Sequence, residues 1–135
     1  MELLSRESQA LAGILLISLV TVESGGLYLL KIVRGRAEVT PFQLAFARAG
    51  HAHAGVLLLL ALLCQPYVDA TGLTGATEWF ARSGVAVAAL LMPGGFFFSS
   101  MGQGRTAPNR FIVMVFAGAA LLAASLLTLG IGLLA

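Results

Sequence analysis

Charged residues are scarce in this chain: Asp, Glu, Lys and Arg together make up 10% of its 135 residues. A soluble domain carries roughly 25% of these residues, because its surface faces water. Hydrophobic residues instead make up 59% of the chain, and its mean hydropathy is +0.94. The composition therefore predicts an integral membrane protein in contact with the lipid bilayer. So little of the chain is left outside the bilayer that we expect a protein without enzymatic activity.

Cysteines and basic patches are also rare. Cys64 is the only cysteine, so one chain can form neither a disulfide nor a metal cage of several thiolates. The eight Lys and Arg residues do not form a stripe interleaved with aromatic side chains, which is the pattern typical of nucleic-acid binding. We therefore expect no nucleic-acid partner, and we expect Cys64 to be a buried, inert thiol.

Long apolar segments are what the chain has in abundance. A helix needs about 20 residues to cross the hydrocarbon core of a membrane. Segments of this kind lie at residues 9–33, 42–67, 77–101 and 108–134. Glycine and proline residues lie in the breaks between them. The sequence predicts an all-α fold in which residues 1–135 form one bundle of four transmembrane helices.

Two local features refine this prediction. Thr77 and Asn109 have side chains that commonly cap helix N-termini, so we expect them at the starts of the third and fourth helices. Pro93, followed by two glycines, lies inside the third segment, where a proline leaves a backbone carbonyl without its donor. We expect an interruption or a kink there.

The charges near the ends of these segments are distributed unevenly. On one side of the membrane, the segment ends contain Lys31, Arg34, Arg36, Glu38, Arg105 and Arg110. On the other side they contain Glu2, Arg6, Glu7, Asp69, Glu78 and Arg82. Lys and Arg residues close to helix ends favour the cytoplasmic side. We therefore predict a multi-pass protein of the inner cell membrane, with loops 34–41 and 102–107 in the cytoplasm and both termini outside.

Ionisable residues inside the predicted spans are the best candidates for a functional site. Glu23, Arg48 and His51 lie within apolar segments, where an unpaired charge costs several kcal/mol. The first two helices are joined by a short loop, so they should be antiparallel neighbours. At a rise of 1.5 Å per residue, Glu23 lies about 12 Å, and His51 about 13 Å, from the cytoplasmic end of its helix. We expect Glu23, Arg48 and His51 to form a cluster at this depth.

Two interpretations of this cluster remain open. Glu23 and Arg48 could form a buried ion pair that holds two helices together, with His51 as a hydrogen-bonding neighbour. Alternatively, Glu23 and His51 could bind a ligand or exchange protons, because a histidine titrates near neutral pH. Residue types alone do not separate a structural pair from a functional site.

His51, Ala52 and His53 form a His-x-His pair. On a continuous helix, residues two apart point about 200° away from each other, so we expect the two imidazoles on different faces. The pair resembles the haem-binding helix of haem–copper oxidase subunit I, in which two histidines ligate haems on opposite faces. The resemblance implies that His51 and His53 bind haem or a transition metal. Because no other histidine is present, the opposite ligand would be Met92, Met101, Met114 or a second subunit.

The first helix contains a second short pattern. Glu23 is followed by Gly26 three residues later and by Lys31 eight residues later. This spacing is similar to that of small multidrug resistance transporters, which are four-helix proteins with one essential glutamate in helix one. The resemblance implies that Glu23 binds protons and substrate in competition.

Three functions follow from these residues. The leading prediction is a ligand-binding or accessory subunit of a membrane assembly, built around Glu23, Arg48 and His51 and present in a homo-oligomer or a larger membrane complex. The second is a proton-coupled transporter of small solutes that uses Glu23. The third is an electron-transfer component that binds haem or a metal through His51 and His53.

Overall fold

The computed structural model describes residues 4–135. It contains α1 (Arg6–Val33), α2 (Pro41–Asp69), α3 (Gly75–Ser100) and α4 (Val113–Leu134), the last preceded by a 3₁₀ turn at Arg110–Ile112. Within this part of the chain there is no strand. Each of the four helical segments is long and apolar enough to cross a membrane. The predicted all-α, four-helix fold is confirmed, and the helix bounds lie within a few residues of the predicted ones.

Polar side chains define where α2 begins, and a glycine defines where α1 ends. The Thr40 hydroxyl accepts a hydrogen bond from the Gln43 backbone N–H at 3.1 Å, and the Gln43 side chain accepts one from the Thr40 N–H at 3.1 Å. This reciprocal capping box satisfies two N–H groups that the helix itself cannot satisfy. Gly35 follows α1 with a φ of 67°, a conformation that favours glycine, and its N–H donates to Ile32.

Two of the local predictions concerned helix starts, and one of them was wrong. Asn109 caps the 3₁₀ turn, because its side-chain oxygen accepts from the Phe111 N–H at 2.8 Å. Thr77, in contrast, lies inside α3, which begins at Gly75 after Thr74. The helix begins at Gly75, whose φ is 62°, and this start lies two residues before Thr77.

The helix α3 is continuous from Gly75 to Ser100, so Pro93 does not end it, and the expected kink stays a prediction. The glycines that follow Pro93 contribute close packing instead. A methyl group on Gly95 would lie 2.6 Å from the backbone nitrogen of Val115 in α4. The absence of a side chain at Gly95 therefore allows α3 and α4 to approach each other closely.

The helices do not pack equally against one another. The central helix α3 packs extensively against both α2 and α4, whereas α1 packs mainly against α2. Buried apolar residues of α2 and α3, with one each from α1 and α4, form the core: Leu15, Leu57, Leu58, Ala61, Cys64, Val68, Ala81, Val85, Ala89, Met92 and Leu129. The predicted burial of Cys64 is confirmed. The helix α1 buries only Ser8, Leu15 and Ile32, so most of its surface lies outside the core.

Hydrogen bonds also join the loops at one end of the bundle. The Gln43 amide donates to the backbone carbonyls of Ser100 at 3.0 Å and Gly102 at 2.7 Å. The Thr40 hydroxyl donates to the carbonyl of Arg105. These bonds tie the start of α2 to the loop between α3 and α4. We call this the Arg105 end, and we call the opposite end, where α2 finishes, the Asp69 end.

Candidate functional site

A buried polar network at the Asp69 end is the most extensively bonded group of side chains in residues 4–135. It consists of Ser5, Ser8, Gln65, Asp69, Glu78 and Arg82, and we call it the Arg82 cluster. Its members come from the start of α1, the end of α2 and the start of α3. The network therefore lies where three helices meet.

Arg82 is the centre of this network. Its side chain is only 2% exposed, and its guanidinium forms ion pairs with Asp69 at 3.0 Å and with Glu78 at 2.7 Å. The same guanidinium donates to the hydroxyl of the fully buried Ser8. Two carboxylates and a hydroxyl thus satisfy a charge that burial alone would make very unfavourable.

Asp69 connects this arginine to the first helix. Its carboxylate accepts hydrogen bonds from the Ser5 backbone N–H at 2.9 Å and from the Ser5 hydroxyl at 2.8 Å. Ser5 is the N-cap of α1, because its hydroxyl also accepts from the Ser8 N–H. One carboxylate at the end of α2 therefore fixes both the start of α1 and the guanidinium of α3.

Gln65 completes the cluster on the side that faces the core. Its amide donates to the carbonyls of Ala61 at 2.8 Å and Arg82 at 3.1 Å. Within residues 4–135, two buried atoms of the cluster have no hydrogen-bond partner, namely the Gln65 Oε1 and the Arg82 Nε. One is an acceptor and the other a donor, so the cluster retains unused hydrogen-bonding capacity of both kinds.

The sequence patterns did not predict this cluster. From the sequence, Asp69, Glu78 and Arg82 entered only the distribution of charges near helix ends that predicts the orientation. Two signals indicated otherwise. Arg82 follows Glu78 by four residues, a spacing that pairs side chains on one helix face, and it lies about two turns inside α3. Gln65, a polar residue inside an apolar run, also indicated a polar contact inside the protein.

Of the predicted site residues, His51 has the most specific surroundings. It packs against α1 at Gly25 and Gly26, where methyl groups would lie 3.0 Å from the His51 Nδ1 and 3.5 Å from its Cε1. The two glycines therefore leave room for the imidazole. This contact confirms that α1 and α2 are neighbours and that residues near position 25 lie level with His51.

His53 faces a different helix, as the helical geometry predicted. Its Nδ1 lies 2.8 Å from the carbonyl oxygen of Ala49, and its ring centroid lies 5.0 Å from that of Phe96 in α3. His51 contacts α1, so the two imidazoles do not converge on one ion. Among residues 4–135, no group of three or more His, Cys, Asp or Glu side chains is arranged to hold a metal.

The methionines proposed as opposite haem ligands do not complete a site with the histidines. Met92 packs against α4 at Gly118, and Met114 packs against α3 at Gly94. Both therefore lie in the interface between α3 and α4, whereas His51 lies between α1 and α2. Met101 is exposed at the C-terminal boundary of α3. Within residues 4–135, no methionine therefore lies opposite His51 in a shared pocket.

Glu23 and Arg48 do not form the ion pair that their depths suggested. Both residues are exposed, and the ion pairs within residues 4–135 are those of Arg82. Glu23 and His51 lie at similar depths, because Val22 lies next to Gly55 and Gly25 next to His51, but the same contacts place Arg48 about 8 Å from Glu23 along the helix axes. The expected pair is absent because the two side chains lie at different depths.

The two charged side chains nevertheless lie on one flank of the α1–α2 pair. Side chains advance by about 100° per residue around a helix. Glu23 therefore lies on the opposite face of α1 from Ile14 and Ile32, each of which is nine residues away. Ile14 borders a groove with Trp79 of α3, and Ile32 borders a cavity of about 360 Å³ with Phe97 of α3. The side chain of Glu23 therefore points away from α3.

Arg48 points in the same direction. It lies nine residues, and so about 180°, from Leu57, which is buried in the core. It lies about 200° from Gly50, where a methyl group would be 3.0 Å from the Phe97 ring of α3. We call this side of the α1–α2 pair, which includes Glu23, Arg48 and Ala52, the charged flank.

Comparisons with known proteins add nothing to this geometry: no protein family, no curated protein and no solved structure matches the chain. The candidate sites are therefore the Arg82 cluster, the His51 contact and the charged flank.

Replacing Arg82 with Met should destabilise the protein by about 3–5 kcal/mol. The reason is that the carboxylates of Asp69 and Glu78, which are partly buried, would lose their positively charged partner. The free energy of unfolding in detergent micelles measures this loss. The matched control is Arg36→Met, since Arg36 is exposed in the first loop. Equal stability of the two variants would show that the Arg82 cluster contributes nothing.

Replacing Gly25 with Ala should destabilise the contact between α1 and α2 by about 1–3 kcal/mol, because the new methyl group meets the His51 ring. In a His51→Ala background the same substitution should cost much less, since the obstructing ring is gone. Gly13→Ala is the control, because no atom lies within 4 Å of the position of its methyl group. A Gly25→Ala cost that is independent of His51 would contradict the assignment of this contact.

Proposed function

We propose that this chain is a non-catalytic subunit of a membrane assembly, inserted through its four helices, and that the charged flank binds another transmembrane element. The observation that supports this proposal most directly is the exposure of Glu23 and Arg48 on one flank, without an ion pair between them. The Arg82 cluster and the His51 contact hold the helices that present this flank.

The energetic reason lies in the cost of charge in lipid. Ionisable residues inside membrane spans face the bundle interior or pair with a partner, because lipid solvates neither an acid nor a base. Arg82 follows this rule within the chain, with two carboxylates beside it. Glu23 lies in the middle part of α1 and Arg48 lies two turns inside α2, and a partner that covers the charged flank removes both from lipid.

We further propose that the protein lies in the inner cell membrane with the Arg105 end in the cytoplasm and both termini outside. The Arg105 end includes Lys31, Arg34, Arg36, Arg105 and Arg110 against the single acid Glu38, and Lys and Arg favour the cytoplasmic side. At the Asp69 end the sequence has two cations, Arg6 and Arg82, and four acids: Glu2, Glu7, Asp69 and Glu78.

A proton-coupled transporter is the second candidate, and the exposed carboxylate of Glu23 favours it. A carboxylate that takes up protons and substrate must be reachable, as Glu23 is in the single chain. The Glu23→Gln variant separates the two functions in vesicles loaded with a pH-sensitive dye. A transporter loses its coupled proton movement with this variant, whereas an assembly subunit shows no such movement in either form.

Reversing one charge of the flank, with Glu23→Arg or Arg48→Glu, should release the chain from its assembly in native membranes, because like charges then meet across the interface. The mass of the complex extracted in mild detergent measures this. The controls are Arg36→Glu and Glu38→Arg, reversals at exposed positions of the first loop. An unchanged complex in both flank variants, with normal stability of the chain, would refute the proposal.

Labelling with a membrane-impermeant thiol reagent tests the orientation. Thr74→Cys should react in intact cells, and Arg105→Cys should react only after the cells are opened, since Thr74 lies at the Asp69 end. The native Cys64 is buried and gives little background. Preferential reaction of Arg105→Cys in intact cells would reverse the proposed topology.

A further inference from the structure

We propose that the partner of the charged flank is a second copy of this chain, related by a two-fold axis along the membrane normal. In this dimer Glu23 of each copy pairs with Arg48 of the other. The inference rests on the proposed function, and it adds the identity of the partner and the residues that recognise it.

The first support is that the flank is complementary to itself. It contains one acid, Glu23, and one base, Arg48, and neither forms an ion pair within residues 4–135. A two-fold axis that brings Glu23 of one copy against Arg48 of the other also brings Arg48 of the first copy against Glu23 of the second. The same contact therefore neutralises all four charges, and no charge is left over for a third component.

The second support is the relative height of the two side chains. Gly25 and Gly26 lie level with His51, and Val22 lies level with Gly55. Arg48 is therefore about one turn nearer the Arg105 end than His51, and Glu23 is slightly nearer the Asp69 end. The axial separation is about 8 Å at a rise of 1.5 Å per residue, which an arginine and a glutamate side chain together can span.

The third support is the surface around the charges. On the same flank, Ala52 follows Arg48 by one turn, and its exposed methyl group lets another helix approach closely. The helix α1 packs mainly against α2, and both charged side chains point away from α3, so no other helix within residues 4–135 covers this side. A parallel dimer also keeps the positive Arg105 ends of both copies on one side of the membrane, as the charge bias requires.

Energy transfer between fluorophores in lipid vesicles tests the dimer with purified protein. Donor and acceptor are attached to Thr74→Cys, a position outside the helices, while Cys64 remains buried. We expect transfer between wild-type copies. Glu23→Arg alone, or Arg48→Glu alone, should reduce the dimer fraction about tenfold or more, because each variant places like charges opposite each other.

The decisive measurement mixes the two reversed variants. Donor-labelled Glu23→Arg and acceptor-labelled Arg48→Glu should associate again, because each copy then provides the charges that the other needs. The double variant, with both reversals in one chain, should also dimerise with itself. Arg36→Glu and Glu38→Arg, singly or mixed, should leave energy transfer unchanged, since both positions are exposed in the loop.

Two results would overturn this inference. Recovery in the double variant without recovery in the mixture would show that Glu23 and Arg48 pair within one chain. Absence of transfer between wild-type copies would show that the chain does not bind itself. If the native complex still depended on Glu23 and Arg48 in that case, the proposed function would stand with a different protein as the partner.

Discussion

A guanidinium group that is almost completely buried needs a countercharge and further hydrogen-bond acceptors, and in this protein that need joins three helices. Arg82 comes from α3, Asp69 from α2, and the serines that complete the network from α1. Removing any one of these helices would leave a buried ion without its partners, at a cost of several kcal/mol. The relative positions of α1, α2 and α3 at the Asp69 end therefore depend on this one side chain.

Two different solutions to the problem of charge in an apolar environment coexist in the same chain. Arg82 is neutralised internally, by carboxylates only 3.0 and 2.7 Å away. Glu23 and Arg48 are opposite in sign and lie on one flank, yet they remain exposed and unpaired in the single chain. Internal neutralisation stabilises the fold, whereas the pair between copies that we propose would favour association, because only a partner completes it.

The fold followed from composition and hydropathy, but the sites followed only in part. Apolar length predicts a span well, because the thickness of the bilayer sets it. Helical periodicity also placed His51 and His53 on different faces correctly. The predicted ion pair of Glu23 and Arg48 was wrong because the two residues differ in depth by about 8 Å, and because depth along an axis does not determine the direction of a side chain. Arg82 was missed because a charge near a helix end is most often in contact with water, although its spacing from Glu78 and the presence of Gln65 in an apolar run indicated a polar network.

The weak attachment of α1 has a consequence for the order in which the bundle forms. This helix is held at its start by Asp69 and midway by the fit of His51 against two glycines, and it contributes little to the core. Because α1 and α2 precede α3 in the chain, Ser5 and Asp69 are made before Arg82. We therefore expect the hairpin of α1 and α2 to provide the groups that bind Arg82 when α3 joins the bundle.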